Sequence, residues 1–297
     1  MQGALRLHAG VLYVGWHELT ASVAAFDLDG RPLQTRFAFR DEAAGRSSVD
    51  GLDVDDDHRL WVVDGAAARV RCFSLFGKEV ASVGSDAAPA SAPPRDARGE
   101  LGVPVDVRVS GSDDDQVVLV ASGGVRRHAV QQLRISSGTG ESLRPLGDPE
   151  GRFQRVRSLD VAGETLAVCE AGAGRVQLFH GSPGERYRFD FAFAVPEELG
   201  TPEAVSVVGA GRILVATRAL ASGLHVFDAS GRFRGTIAGG GAETGLEEPC
   251  AVAIERGVDD RRARVCVLDR DGGRVQVLSM EGRAFGSFVD FGPGPLT

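Results

Sequence analysis

Short runs of alternating apolar and polar residues follow one another along the whole chain. Residues 51–54 form one such run, residues 60–63 form the next, and a third ends at Phe73. A period of two residues, with Gly, Asp or Ser between the runs, is typical of short β-strands. No stretch shows the 3.6-residue spacing of an amphipathic helix. The pattern therefore predicts an all-β protein.

An aromatic residue or a leucine closes the third run of each group and marks an internal repeat. These residues are Phe26, Phe73, Leu133, Phe179, Phe227 and Leu278, separated by 47, 60, 46, 48 and 51 residues. Most are followed by a tight turn such as Asp29-Gly30-Arg31, in which the glycine supplies the positive φ of a hairpin. Each unit thus predicts four antiparallel strands, designated a to d.

Four short strands repeated every ~40–50 residues are the signature of a propeller blade. Six units predict a six-bladed β-propeller with four antiparallel strands in each blade. The predicted blades cover residues 3–40, 48–84, 102–147, 152–194, 201–239 and 247–291. They occupy nearly the whole chain, so we expect a single domain, residues 1–297, and a ring that closes without exchanging a strand between its ends.

An acid followed by an arginine recurs between the second and third runs of three units. The two residues are five positions apart each time: Asp64 and Arg69, Glu170 and Arg175, Asp269 and Arg274. With the Val that follows the arginine, this pattern resembles the NHL repeat, a propeller unit with an apolar strand, an acid, a short loop and Arg-Ile-Gln-Val-Phe. The resemblance implies an NHL-like propeller. Blades one, three and five depart from the family pattern because they lack the pair, and the chain contains no asparagine.

The repeated acid and arginine also have a direct physical interpretation. In a blade the acid ends strand b and the arginine begins strand c, so the two face each other across the b–c loop. A carboxylate and a guanidinium in that position form an ion pair that holds the loop. We interpret the three pairs as structural.

Composition restricts the classes of function. The 297 residues are 43% hydrophobic and 25% charged, which is ordinary for a globular protein, and the net charge is −8. An acidic chain is a poor general binder of nucleic acid, so local basic stretches such as residues 126–128 and 152–157 are interpreted as solvated loops. An RNA-binding propeller stays a third alternative. Lys78 is the one lysine among 33 basic residues, which is typical of a GC-rich bacterial genome.

The chain shows no apolar run of ~20 residues and no hydrophobic signal region before its first strand, so we expect a cytoplasmic protein and no membrane partner. Its four cysteines are Cys72, Cys169, Cys250 and Cys266. They lie inside apolar runs at spacings that match no zinc pattern, so we expect neither a metal nor a disulfide role.

Strand a lies innermost in a propeller, so its residues line the central channel. At the entrance of the channel the aligned polar residues are Asp50, Arg157 and Glu203. They are the candidates for a ligand site at the mouth. An enzyme alternative, a metal-assisted hydrolase or lyase, would use the same three residues.

Three positions further along strand a, the first four blades carry alternating charges. The residues are Arg6, Asp53, Arg108 and Asp160. Charges on inner strands are costly unless paired. We therefore predict a ladder of carboxylate–guanidinium contacts that links blades one to four.

The sequence favours a non-enzymatic function. Lactonase-like calcium hydrolases of this shape use asparagine ligands, which the chain lacks, and its six histidines are dispersed over different loops and strands. Acidic turns such as residues 55–57 lack EF-hand spacing. We expect no catalytic residue, no metal and no cofactor, and interpret the chain as a scaffold whose protein partner binds the loop face that includes residues 84–101.

Overall fold

The strands predicted from the alternating pattern form six four-stranded antiparallel sheets arranged as a six-bladed β-propeller, in the computed structural model. The structure describes residues 2–17, 20–42, 45–84, 101–111, 116–123, 125–126, 129–136, 139–143, 153–219, 221–239, 245–257, 259, 262–271 and 273–288. The prediction of an all-β six-bladed ring is confirmed.

The first three blades take their strands in chain order, apart from one short strand in blade three. They are β1 (Gln2–His8), β2 (Val11–His17), β3 (Ala21–Phe26) and β4 (Pro32–Phe39); β5 (Gly51–Val54), β6 (Leu60–Asp64), β7 (Arg69–Phe73) and β8 (Glu79–Val83); and β9 (Pro104–Ser110), β10 (Val117–Ser122), β12 (Val130–Arg134) and β13 (Thr139–Ser142).

The last three blades are built in the same way. They are β15 (Val156–Ala162), β16 (Thr165–Glu170), β17 (Arg175–His180) and β18 (Arg188–Ala194); β19 (Thr201–Val207), β20 (Ile213–Arg218), β21 (Gly223–Phe227) and β22 (Phe233–Gly239); and β23 (Pro249–Ile254), β24 (Arg264–Asp269), β25 (Arg274–Ser279) and β26 (Ala284–Phe288).

A two-stranded ribbon that the sequence pattern did not predict joins blades three and four. It pairs β11 (Val125–Arg126), from the b–c connection of blade three, with β14 (Phe153–Gln154), which precedes strand a of blade four. Helical structure in the described part of the chain is limited to two 3₁₀ turns, Glu197–Leu199 and Gly209–Gly211. None of its helices is long and apolar enough to cross a membrane.

The core lies between the blades. The described buried apolar residues form six clusters, and each cluster joins one blade to the next. Strand b reads as an unbroken apolar run because both of its faces are covered: Ile213 packs toward blade four, and Leu214 packs toward blade six.

The ring closes through side chains, as every four-stranded sheet is made of strands from one stretch of chain. Blades six and one share a cluster that includes Leu5 and Leu268, and the rings of Phe26 and Phe288 lie 5.2 Å apart. Gly30, in the c–d turn of blade one, has a φ of +82°, and a Cβ there would lie 2.7 Å from the Phe288 ring. Glycine is thus required at this turn by the backbone and by the neighbouring blade.

Candidate functional site

Charged residues of the inner strands fill the centre of the ring. Arg6 Nε lies 2.6 Å from Asp53 Oδ1, and Arg108 Nε lies 3.0 Å from Asp160 Oδ1. Both contacts join neighbouring blades, one and two in the first case and three and four in the second. The alternating charges on β1, β5, β9 and β15 are therefore paired side by side around the channel.

The step between these two pairs differs from the expected ladder. Asp53 Oδ2 accepts a hydrogen bond from the backbone N–H of Val109 at 2.7 Å. Arg108 turns its Nη1 to Asp106 on its own strand, at 2.8 Å from Oδ1. Asp53 thus contacts blade three through the main chain, and an Asp53–Arg108 ion pair is absent among the described contacts because Asp106 takes that guanidinium nitrogen.

Asp160 is the centre of the network. It is 1% exposed and receives Arg6 Nη1 at 3.4 Å, Arg256 Nη2 at 2.6 Å and the Ser206 hydroxyl at 2.9 Å, in addition to Arg108. Burial by itself would raise the pKa of Asp160, but the nearby charges of Arg256, Arg108 and Arg6 outweigh it and hold that pKa well below its usual range. Asp160 is therefore ionised at neutral pH.

Two members of this network, Arg256 and Asp106, were missed by the sequence interpretation. Arg256 follows strand a of blade six and reaches across blade five, which carries the small residue Ser206 at the position aligned with Asp53 and Asp160. Asp106 stands two residues before Arg108 and so shares its face of β9. The period of two was the signal for Asp106, whereas the sequence carries no comparable signal for Arg256.

The three residues predicted at the channel mouth occupy two places. Arg157 Nη2 lies 2.8 Å from Glu203 Oε2, and the buried Glu203 also binds Arg218. Asp50 forms no ion pair with these residues among the described contacts and accepts hydrogen bonds from the Ser48 hydroxyl at 2.5 Å and the Gly65 N–H at 3.1 Å. Burial raises the pKa of Asp50.

The space at the mouth is small. Asp50 and Arg157 line a cavity together with Asp106, Arg108 and Cys250, and its volume is about 30 Å³. Such a volume holds a water-sized molecule and excludes a drug-sized substrate. The acids that line it are already bound to hydroxyl, amide or guanidinium donors.

The acids at the ends of the b strands anchor the chain that enters the same blade. Glu170 Oε1 lies 2.7 Å from Arg175 Nε, and Asp269 Oδ2 lies 3.5 Å from Arg274 Nη2. Both carboxylates also accept from backbone amides before strand a: Gln154 N–H to Glu170 at 2.7 Å and Glu248 N–H to Asp269 at 2.7 Å. These acids hold both the b–c loop and the entry of the chain.

Blade two shows a further partner at strand c. Asp64 pairs in register with Arg69, and the guanidinium of Arg71 reaches the Asp64 carboxylate at 3.4 Å. In blade four the equivalent residue, Gln177, donates to Glu170 at 2.5 Å. Residues five and seven positions after the acid share one face of strand c, so the period of two could have identified this second partner.

The cysteines and histidines do not form a reactive centre among the described residues. Burial raises the pKa of Cys72 and of Cys266 to about 12 and that of Cys250 to about 11, so these thiols stay protonated at neutral pH. His225 is buried between the hydroxyls of Thr217 and Thr236, each 2.9 Å away. No group of three metal-binding side chains occurs in the described ranges. The expected partner segment from residue 84 to residue 101 lies, at residues 85–100, outside them.

No protein-family model and no curated protein sequence matches the chain. Several solved structures are similar to the chain. A nidogen/laminin complex is similar with a TM-score of 0.64 and 13% identity, over 95% of this chain and 94% of that one. Virginiamycin B lyase from Staphylococcus aureus is similar with a TM-score of 0.59 and 9% identity, over 97% and 84%. A protein of unknown function from Desulfotomaculum acetoxidans DSM 771 has a TM-score of 0.56 and 16% identity, over 94% and 81%. At these identities the likeness shows the propeller fold.

Proposed function

We propose that this chain is a non-enzymatic protein-interaction scaffold built on an NHL-like propeller of a bacterial cytoplasm. The NHL assignment is supported by the acid and arginine that recur in blades two, four and six. The structural neighbours are divided between a lyase and a protein of a binding complex, so the choice depends on the side chains of this chain.

The observation that carries the proposal is the pairing of the axial charges. Asp160, Asp53 and Asp106 each accept from arginines or backbone amides of a neighbouring strand. A divalent cation would have to displace these donors and leave the arginines unpaired in a buried site, which is costly. The channel residues are thus suited to holding the blades together.

A rigid ring of this kind presents its function on its loops. The connection between β8 and β9 contains residues 85–100, and β8 ends at Val83, which pairs with Val70 beside the b–c loop of blade two. We place the protein partner on this face. A scaffold of this type gains specificity from the loop sequence and rigidity from the paired charges beneath it.

The test begins with metal ions. Ca²⁺, Mg²⁺ and Zn²⁺ are added at increasing concentration while the melting temperature is followed, since any ligand of the folded state raises it. We expect no saturable rise and no turnover of lactones or esters. A catalytically inactive variant of virginiamycin B lyase has been solved with quinupristin, so quinupristin is added to the panel of compounds.

A positive test uses the loop. Products of neighbouring genes are titrated into the purified chain and into a variant in which residues 86–99 are replaced by a short Gly-Ser linker. Binding by the native chain that the linker variant loses supports the scaffold. Metal-dependent turnover that Glu203→Gln abolishes would instead establish the hydrolase or lyase.

A further inference from the structure

A second cavity opens on the opposite face of the ring, between blades four, five and six. Its volume is about 220 Å³, several times that of the cavity at the channel mouth. Ala162 contributes from blade four, Val207 and Val208 contribute from blade five, and Ile254 contributes from blade six. The walls of this cavity are mostly apolar, as the walls of small-molecule sites are.

Arg256 forms one side of this cavity. Its Nη2 donates to Asp160 Oδ2 at 2.6 Å and its Nη1 donates to the carbonyl of Val161 at 2.6 Å, so the guanidinium is held across blade five. The side chain is 37% exposed. A guanidinium has five N–H donors, and within the described residues these two bonds leave three for a ligand.

The N–H donors that Arg256 leaves free favour an acceptor that carries a negative charge. Arg6, Arg108 and Arg256 all converge on Asp160, while Arg6 also pairs with Asp53 and Arg108 also pairs with Asp106, so the charges of this group balance. Glu255 stands on the same rim, where its Oε2 accepts the Arg264 N–H at 3.4 Å. One carboxylate on the rim disfavours a ligand with two negative charges and leaves room for a ligand with one.

We propose that this cavity binds a small monocarboxylate with a branched or aromatic apolar body, its carboxylate on Arg256 and its body against Val207, Val208 and Ile254. The site lies on the face of the ring that carries the turns between strands a and b. The proposed scaffold would bind its partner on the opposite face, which carries the b–c loops. The cavity site therefore stands or falls independently of that function.

The chain contains four isoleucines, Ile135, Ile213, Ile237 and Ile254, which makes a selective measurement possible. The protein is labelled at isoleucine δ1-methyl groups and titrated with 4-methylpentanoate, then with the matched alcohol, the matched amine, leucine and a dicarboxylate. We expect a saturable shift of the Ile254 methyl signal with 4-methylpentanoate. The alcohol and the dicarboxylate should bind about ten-fold more weakly, the difference expected for one charged hydrogen-bonding group.

Variants locate the two parts of the site. Ala162→Leu fills the cavity and should abolish the Ile254 shift, and Arg256→Gln should weaken binding about ten-fold. Arg256→Lys keeps the positive charge and is used in the same titration if the Gln variant does not fold. Arg232 is exposed and lies outside the cavity, so Arg232→Gln is the matched control. No Ile254 shift, an equal shift with the alcohol or the amine, or binding unchanged in Ala162→Leu would overturn the proposal.

Discussion

The guanidinium of Arg6 on the first strand of blade one reaches Asp160 on the first strand of blade four, Nη1 to Oδ1, at 3.4 Å. Blades one and four face each other in a ring of six, so this contact crosses the centre. Neighbouring pairs hold adjacent blades together, whereas this one connects opposite sides. The centre of the propeller thus contains ion pairs between adjacent blades and an ion pair between opposite blades.

Replacing the central carboxylate should cost more stability than replacing a surface carboxylate. Asp160→Asn leaves Arg6, Arg108 and Arg256 without their shared partner in a buried site, and we expect a loss of about 3–5 kcal/mol in the free energy of unfolding. Chemical denaturation measures it. Asp190→Asn, at an exposed position of β18, is the matched control and should change the free energy by about 0.5 kcal/mol or less. Equal losses in the two variants would contradict a structural role for the network.

Double-mutant cycles should distinguish a direct ion pair of the network from two residues of the network that are not in contact. The pair Arg108 and Asp160 is in contact at 3.0 Å, so we expect a coupling energy above about 1 kcal/mol. Asp53 and Arg108 lack such a contact, and their coupling should stay below about 0.5 kcal/mol. A larger coupling for the second pair would show that the network transmits through Asp106 or the main chain of β9.

Stability should fall in mild acid because of His225. Burial disfavours the imidazolium and lowers its pKa below 6.5, while the unfolded chain takes up a proton at its ordinary pKa. The unfolded state then binds more protons below about pH 6.5, so the free energy of unfolding decreases as pH falls, by at most about 1.4 kcal/mol per pH unit for this group. Unfolding curves between pH 7.5 and pH 5 measure the slope.

A variant isolates the histidine from the carboxylates. His225→Gln should flatten the slope over that range, even if it lowers stability at pH 7.5 by disturbing Thr217 and Thr236. His180→Gln, at a side chain that is 68% exposed, removes a histidine from the surface and is the matched control. An identical slope in all three proteins would assign the acid sensitivity to other groups.

Two glycines with similar backbone angles test the ring closure. Gly30 has a φ of +82° and faces Phe288 of blade six, and Gly10 has a φ of +77° with open space around its missing Cβ. Alanine strains the backbone at both positions, but at Gly30 it also pushes against the closing interface. We expect Gly30→Ala to be more destabilising than Gly10→Ala by about 1–3 kcal/mol in chemical denaturation. Equal effects would mean that the Phe288 ring moves aside freely.

The blades were predictable from sequence because their strands are short, alternating and separated by glycine turns. The partners of Asp53 and Arg108 were only partly predictable. Aligned positions on neighbouring strands identified the level of Arg6 and Asp53, since equal registers place them side by side. Arg256 was not identified because it lies beyond the end of strand a of blade six and its side chain reaches past Ser206 of blade five to blade four. A contact between side chains that are far apart in the sequence does not follow the two-residue period from which the strands were predicted.

The self-contained sheets have a consequence for how the chain folds. Each blade pairs strands that are close in sequence, so hydrogen bonding within a blade can begin as soon as its own residues have left the ribosome. The packing of blade six on blade one joins the most distant parts of the chain and must wait for the last strand. The blades would then form in the order in which they are synthesised, and the docking of blade six on blade one would be the last and slow step. A circular permutation at a blade boundary would move this last step to the interface between two other blades.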